Sequence, residues 1–139
     1  SESVNIQNIT SENKNDESLF DEEQLDLPKG VLLYEINGPL FFGAARQFQE
    51  TITNTHLQPK VVIIRMRYVP LIDATGFQSL KEIIKTYKAK GIQVILSGIS
   101  ENLNKDFVKY GMYSFIGEEF VLGNIVKALE KAKTVMKKI

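Results

Sequence analysis

The 139 residues contain no cysteine. Disulfides, thiol chemistry and thiolate metal sites are therefore excluded. Histidine occurs once, as His56, in the polar connection Thr53-Asn54-Thr55-His56-Leu57-Gln58-Pro59. A lone loop histidine is more often solvated than catalytic, and no second one exists to share a metal with it. No run approaches the roughly 18–20 apolar residues of a membrane span. A G-x-x-x-x-G-K-[ST] loop and a G-x-G-x-x-G turn are both missing, so no standard nucleotide cradle is expected. A G-x-S-x-G elbow and a Ser-His-Asp set are missing too. These gaps argue against an enzyme, and no catalytic residue, metal site or cofactor is expected.

A chain of this length makes one domain with a tail and can bury a core without staples. Its net charge of zero hides an asymmetry. Residues 1–30 carry eight acids against Lys14 and Lys29, a balance of −6, and residues 31–139 carry nine acids against fifteen bases, a balance of +6. This describes an acidic leader on a mildly basic domain. Lys127, Lys131, Lys133, Lys137 and Lys138 gather toward the end of the last helix, where the helix dipole favours positive charge. The interleaved aromatics and arginines of an RNA-binding face are missing, so no nucleic-acid partner is expected. The first residue is Ser1 and not Met, as expected of a piece cut from a longer polypeptide or of a start altered by cloning.

The leader, residues 1–29, is polar and acidic, and Asn13 to Ser18 reads as mobile. Val4, Ile6 and Ile9 suit a short edge strand. Leu19, Phe20, Leu25 and Leu27 are expected to dock on the domain surface. Pro28-Lys29-Gly30 signals a turn. Val31 to Ile36 reads as a strand with Val31, Leu33 and Glu35 on one face and Leu32, Tyr34 and Ile36 on the other. Gly38-Pro39 breaks it, and a helix is expected from Ala44 to Asn54 with Ala45, Phe48 and Ile52 inward. Val61 to Met66 is apolar on both faces, as in a central strand covered on either side. A helix follows from Thr75 to Lys90, stopped by Gly91. Ile92 to Ser97 is the next strand. Ser100 caps a helix from Glu101 to Tyr110, which Gly111 ends. Tyr113 to Ile116 reads as a short strand or extended link. The last helix is expected from Glu119 to Lys138, with a stripe of Leu122, Ile125, Val126, Leu129, Ala132, Val135 and Met136. This order predicts an α/β fold with a mixed, mostly parallel sheet of about four to five strands and as many helices, in β-α-β-α-β-α-β-α order.

The stretch Val69-Pro70-Leu71-Ile72-Asp73-Ala74-Thr75-Gly76 lies where the central strand ends and a helix begins. Ligands and partners of open α/β folds are usually met at such corners. Asp73 and Thr75 both suit a helix cap, and Gly76 relieves crowding in the first turn. A phosphate on Thr75 would bring nearly two negative charges to a helix N-terminus, and a partner packed over it would be expelled.

The pair Ile36-Asn37-Gly38-Pro39-Leu40-Phe41-Phe42 and Ile72-Asp73-Ala74-Thr75-Gly76, one strand–helix unit apart, resembles the STAS domain. Bacterial anti-sigma-factor antagonists and the cytoplasmic C-terminal part of SulP-type anion transporters share that domain. The resemblance covers roughly residues 30–138 and implies one STAS domain over residues 30–139, preceded by the acidic leader of residues 1–29. Gly38 to Ala45 and Met66 to Gly76 look like the transporter branch. The antagonists favour Asp-Ser-Ser-Gly at the corner; here Ala74 and Thr75 replace the serines, and Thr75 falls on the antagonists' phosphorylated position.

The transporter branch implies a soluble regulatory and interaction domain on the cytoplasmic side of the plasma membrane. Its partners would be the transmembrane domain of the same sulfate-like anion transporter, a second copy in the full-length protein, and a cytosolic regulator. Asp73, Thr75 and Gly76 are the implied regulatory position. Pro39, Phe41, Phe42 and Leu71 are the expected contact surface; either one of the two phenylalanines is partly exposed on the edge that carries Asp73, or both belong to the core. Some STAS domains bind nucleotides, but this sequence offers no base or ribose pocket. The other branch implies a free-standing phospho-switch that binds an anti-sigma factor or kinase.

Overall fold

The structure, a computed structural model, describes residues 5–9, 25–39, 46, 50 and 58–139. Among the described residues, five strands form one sheet whose spatial order repeats the chain order. They are β1 (Asn5–Ile9), β2 (Val31–Asn37), β3 (Val61–Tyr68), β4 (Gln93–Ser97) and β5 (Val121–Leu122). β1 runs antiparallel to β2 as an edge strand, and the other three pairings are parallel. The helices with described bounds are α1 (Ala74–Ala89), α2 (Glu101–Tyr110), α3 (Met112–Ile116) and α4 (Ile125–Lys137), with a 3-10 turn at Glu118–Phe120. The expected α/β architecture is therefore present.

Strand alternation sorts the core into two layers. Leu32, Tyr34, Ile36, Val62, Ile64 and Met66 face α1 to α3 and meet Phe77, Leu80, Ile84 and Phe107. Val31, Leu33, Val61, Ile63 and Ile95 face the other way, toward Ile125, Ala128 and Ala132 of α4. β3 lies under both layers, which is why it is apolar on both faces. Each of its fully buried Val and Ile side chains stabilises the fold by about 1.5–3 kcal/mol. Leu27 belongs to the α4 layer at 3% exposure, so it is part of the core, deeper than a surface contact.

Several local signals act as expected. Ser100 Oγ accepts from Leu103 N–H at 3.1 Å and starts α2. Gly111 ends α2 at φ +79°, a left-handed conformation that suits glycine. Val31 N–H donates to Pro28 C=O at 3.1 Å and closes the turn before β2.

Three expectations need correction. Tyr113 to Ile116 is helical, part of α3, since Met112 and Ile116 project one turn apart into the core. The last helix begins at Ile125 and not Glu119: Asn124 caps it by accepting from Lys127 N–H at 2.9 Å. Val121 and Leu122 instead extend the sheet beside Leu96 and Ser97. Val126 is not in the buried stripe but 62% exposed; Ala128 takes the inward place. Of the helix expected over residues 44–54, Arg46 and Glu50 are described; both are helical and exposed. Ala45, Phe48, Ile52, His56, Leu19 and Phe20 lie outside the described residues.

Candidate functional site

The corner between β3 and α1 is built by the backbone first. Tyr68 ends β3, and Val69 N–H donates back to Met66 C=O at 3.0 Å to turn the chain. Val69 and Ile72 anchor the connection in the core at 1% and 2% exposure. Pro70 and Leu71 between them stay outside, and Leu71 is 41% exposed. This alternation leaves an apolar bump on a fixed base.

Asp73 then starts α1. Its Oδ1 accepts from Gly76 N–H at 2.7 Å, and its carbonyl accepts from Phe77 N–H at 2.8 Å. One carboxylate thus satisfies one of the helix's unpaired N–H groups and sits at the positive end of the dipole. Thr75 does not share the capping role. It lies in the first turn with its side chain exposed, while Gly76 is buried.

A residue not singled out in the sequence completes the corner. Asp106 of α2 accepts from Ile72 N–H through Oδ2 at 3.0 Å. Tyr110, one turn further along α2, stacks on Phe77 of α1 with ring centroids 5.0 Å apart. Two contacts therefore lock α2 to the corner, one polar and one aromatic. No motif marks Asp106, because its partner is a main-chain N–H 34 residues away.

The turn after β2 reaches the same end of the sheet. Gly38 N–H donates to Tyr68 C=O at 3.0 Å, which brings the partly exposed Pro39 alongside the exit of β3. Pro39, Leu71, Asp73, Thr75 and Gly76 are thus gathered at one sheet end. Phe41 and Phe42 lie outside the described residues.

On the α4 side of this end the sheet turns polar. Arg67 Nε donates to Glu35 Oε1 at 2.6 Å, and the guanidinium lies 4.4 Å from the centre of the Tyr68 ring. Glu35 and Arg65 are register neighbours, each 6% exposed. Ser97, opposite Arg65 on β4, is fully buried, and its hydroxyl has no hydrogen-bond partner among the described residues. Strand alternation already put Glu35 on the Val31 and Leu33 face, and a carboxylate there requires a cation. That signal was present in the sequence.

Gly98 packs its backbone on this cluster: a Cβ there would lie 2.9 Å from Arg67 N, and φ is +78°. Among the described residues no group of three His, Asp or Glu is placed to hold a metal, and no helix is long and apolar enough to cross a membrane.

The family model for the STAS domain matches residues 24–132. The chain belongs to the STAS domain family. This STAS domain is 40% identical to a sulfate transporter family protein from Wolinella succinogenes, with a TM-score of 0.77, covering 82% of this chain and 93% of that one. It is 32% identical to the STAS domain of a SulP transporter from Vibrio cholerae, with a TM-score of 0.70, covering 82% and 89%. Sulfate transporter 4.1, chloroplastic, from Arabidopsis thaliana is 24% identical over 114 residues, or 73% of this chain. The STAS domain spans 17% of the length of that relative. A structure from Thermotoga maritima described as an anti-sigma factor antagonist shares the fold at 15% identity, with a TM-score of 0.67, covering 78% of this chain and 92% of that one.

Proposed function

We propose that this STAS domain is the cytoplasmic regulatory and interaction domain of a SulP-type transporter of sulfate-like anions. It acts by binding and not as an enzyme. The transmembrane part of the same protein is its first partner, and a second copy and a cytosolic regulator are the others. Its identity of 40% and 32% to transporter-family domains supports the transporter branch over a free-standing antagonist.

The observation that carries the site is Leu71, exposed beside Thr75 on a backbone held by Asp73 and Asp106. A fixed apolar bump next to an accessible hydroxyl suits a contact that modification can break. A phosphate on Thr75 would gain from the helix dipole but would also face the Asp73 carboxylate two residues away. Inside the domain these effects oppose one another. At a packed contact the phosphate must in addition be desolvated, and that cost decides for release.

The first check is the longer reading frame: this function requires about ten or more apolar spans upstream of the segment. Anion uptake by vesicles holding the intact transporter then tests the site. Thr75→Glu and Leu71→Ser are expected to change uptake while circular dichroism of the 139-residue chain stays the same. Unchanged uptake in both variants would remove the corner from the regulatory path.

A further inference from the structure

A groove of about 400 Å3 opens between α1 and the segment that leads from α3 into the 3-10 turn. Val94 of β4 contributes to its floor, Phe115 and Phe120 to its far wall, and Lys81, Lys85 and Lys88 to its near wall. Both phenylalanines are only partly buried. The lysines follow one another at four and three residues, so they share one ridge of α1. One acid, Glu82, lines the groove, and it pairs with Lys85 at 3.7 Å across exposed side chains. Among the described residues no ion pair engages Lys81 or Lys88. The Lys81 ammonium instead lies 4.9 Å from the centre of the Phe115 ring.

We propose that this groove docks an acidic segment of a partner protein, one that carries a bulky apolar residue flanked by carboxylates. Charge complementarity carries the choice of occupant. The apolar residue would cover the phenyl rings and the floor, removing them from water. The flanking carboxylates would face Lys85 and Lys88, within a stretch of the chain that is positive overall at +6 over residues 31–139. A nucleic-acid strand fits less well, because no arginine lines the groove. A membrane surface fits less well too, because it needs protruding apolar groups, and Val94 sits at the bottom of a concavity. The proposal is independent of the corner, since the groove contains neither Leu71 nor Thr75.

The test uses the 139-residue chain and a fluorescein-labelled peptide, Asp-Glu-Glu-Leu-Phe-Asp-Glu-Glu, followed by anisotropy at low salt. Saturable binding is expected. The double variant Lys85→Glu, Lys88→Glu is expected to weaken it about tenfold or more, since two attractions become repulsions. Lys133→Glu, Lys137→Glu makes the same change in net charge on exposed α4 positions and is expected to leave binding within about twofold of wild type. A peptide with Ser-Ser in place of Leu-Phe is expected to lose most of its affinity. Circular dichroism checks the fold of each variant. No binding either to the wild-type chain or to its Leu19→Ser, Phe20→Ser variant, in which residues 16–23 no longer match the probe, equal loss in both double variants, or full affinity for the Ser-Ser peptide would each overturn the proposal. So would binding of phosphatidylglycerol vesicles or of single-stranded DNA, but not of the peptide, to the wild-type chain.

Discussion

The Asp73 carboxylate is engaged by Gly76 N–H at 2.7 Å before any partner arrives. Asp73→Ala removes that bond and the favourable charge at the helix start, and should cost about 1 kcal/mol in urea unfolding. Asp106→Ala is a different loss, because it strips the Ile72 N–H of its acceptor beneath the corner. A cost of about 1–2 kcal/mol is expected, with amide shifts concentrated at residues 70–76. Tyr87 gives a pH signature. Burial first, and the neighbouring Tyr34 second, push its pKa above the ordinary tyrosine value of 10. The neutral phenol therefore stabilises the fold fully below pH 10, and this contribution is lost as pH rises through the folded pKa. Urea midpoints should fall above pH 10 in the wild type and fall less steeply in Tyr87→Phe. Part of the slope will remain, because burial and the Glu118 charge raise the Tyr113 pKa as well.

At the scale of elements, glycines with positive φ separate two kinds of strain. Gly111→Ala meets open space, so it should cost only the left-handed backbone, about 1 kcal/mol. Gly98→Ala meets Arg67 N at 2.9 Å as well and should cost about 2 kcal/mol or more, since main chain cannot step aside. Thermal unfolding of the two variants side by side checks the difference. The elements legible in the sequence were those with local signals. β3 read as central because both its faces are apolar, and α2 because Ser100 and Gly111 bracket it. The stretch from Tyr113 to Leu122 lacks such signals. There a five-residue helix, a 3-10 turn and a two-residue strand follow in succession, each too short for its period to register. The site was legible to the same degree. Asp73 announces itself as a cap and Glu35 its need for a cation, whereas Asp106 and the choice of Arg67 as that cation depend on elements meeting across the fold, 34 and 32 residues apart.

For the whole molecule, the sheet order matters more than any one contact. β1 covers the outer edge of β2 with antiparallel pairing from Asn5 against Asn37 to Ile9 against Leu33. A chain lacking residues 1–9 would leave that edge bare, and size-exclusion chromatography should show it associating more than the full chain. The layer under α4 has a further consequence, for synthesis. Strands that follow one another in space as in sequence can be laid down side by side as the chain leaves the ribosome, N-terminal parts first. α4 emerges after all five strands, and until it does, Val31, Leu33, Val61, Ile63 and Ile95 lack the cover of Ile125, Ala128 and Ala132. A nascent chain halted at Gly123 should therefore stay bound to a holding chaperone and remain protease-sensitive, and release should come only when Ile125 to Lys137 is clear of the exit tunnel.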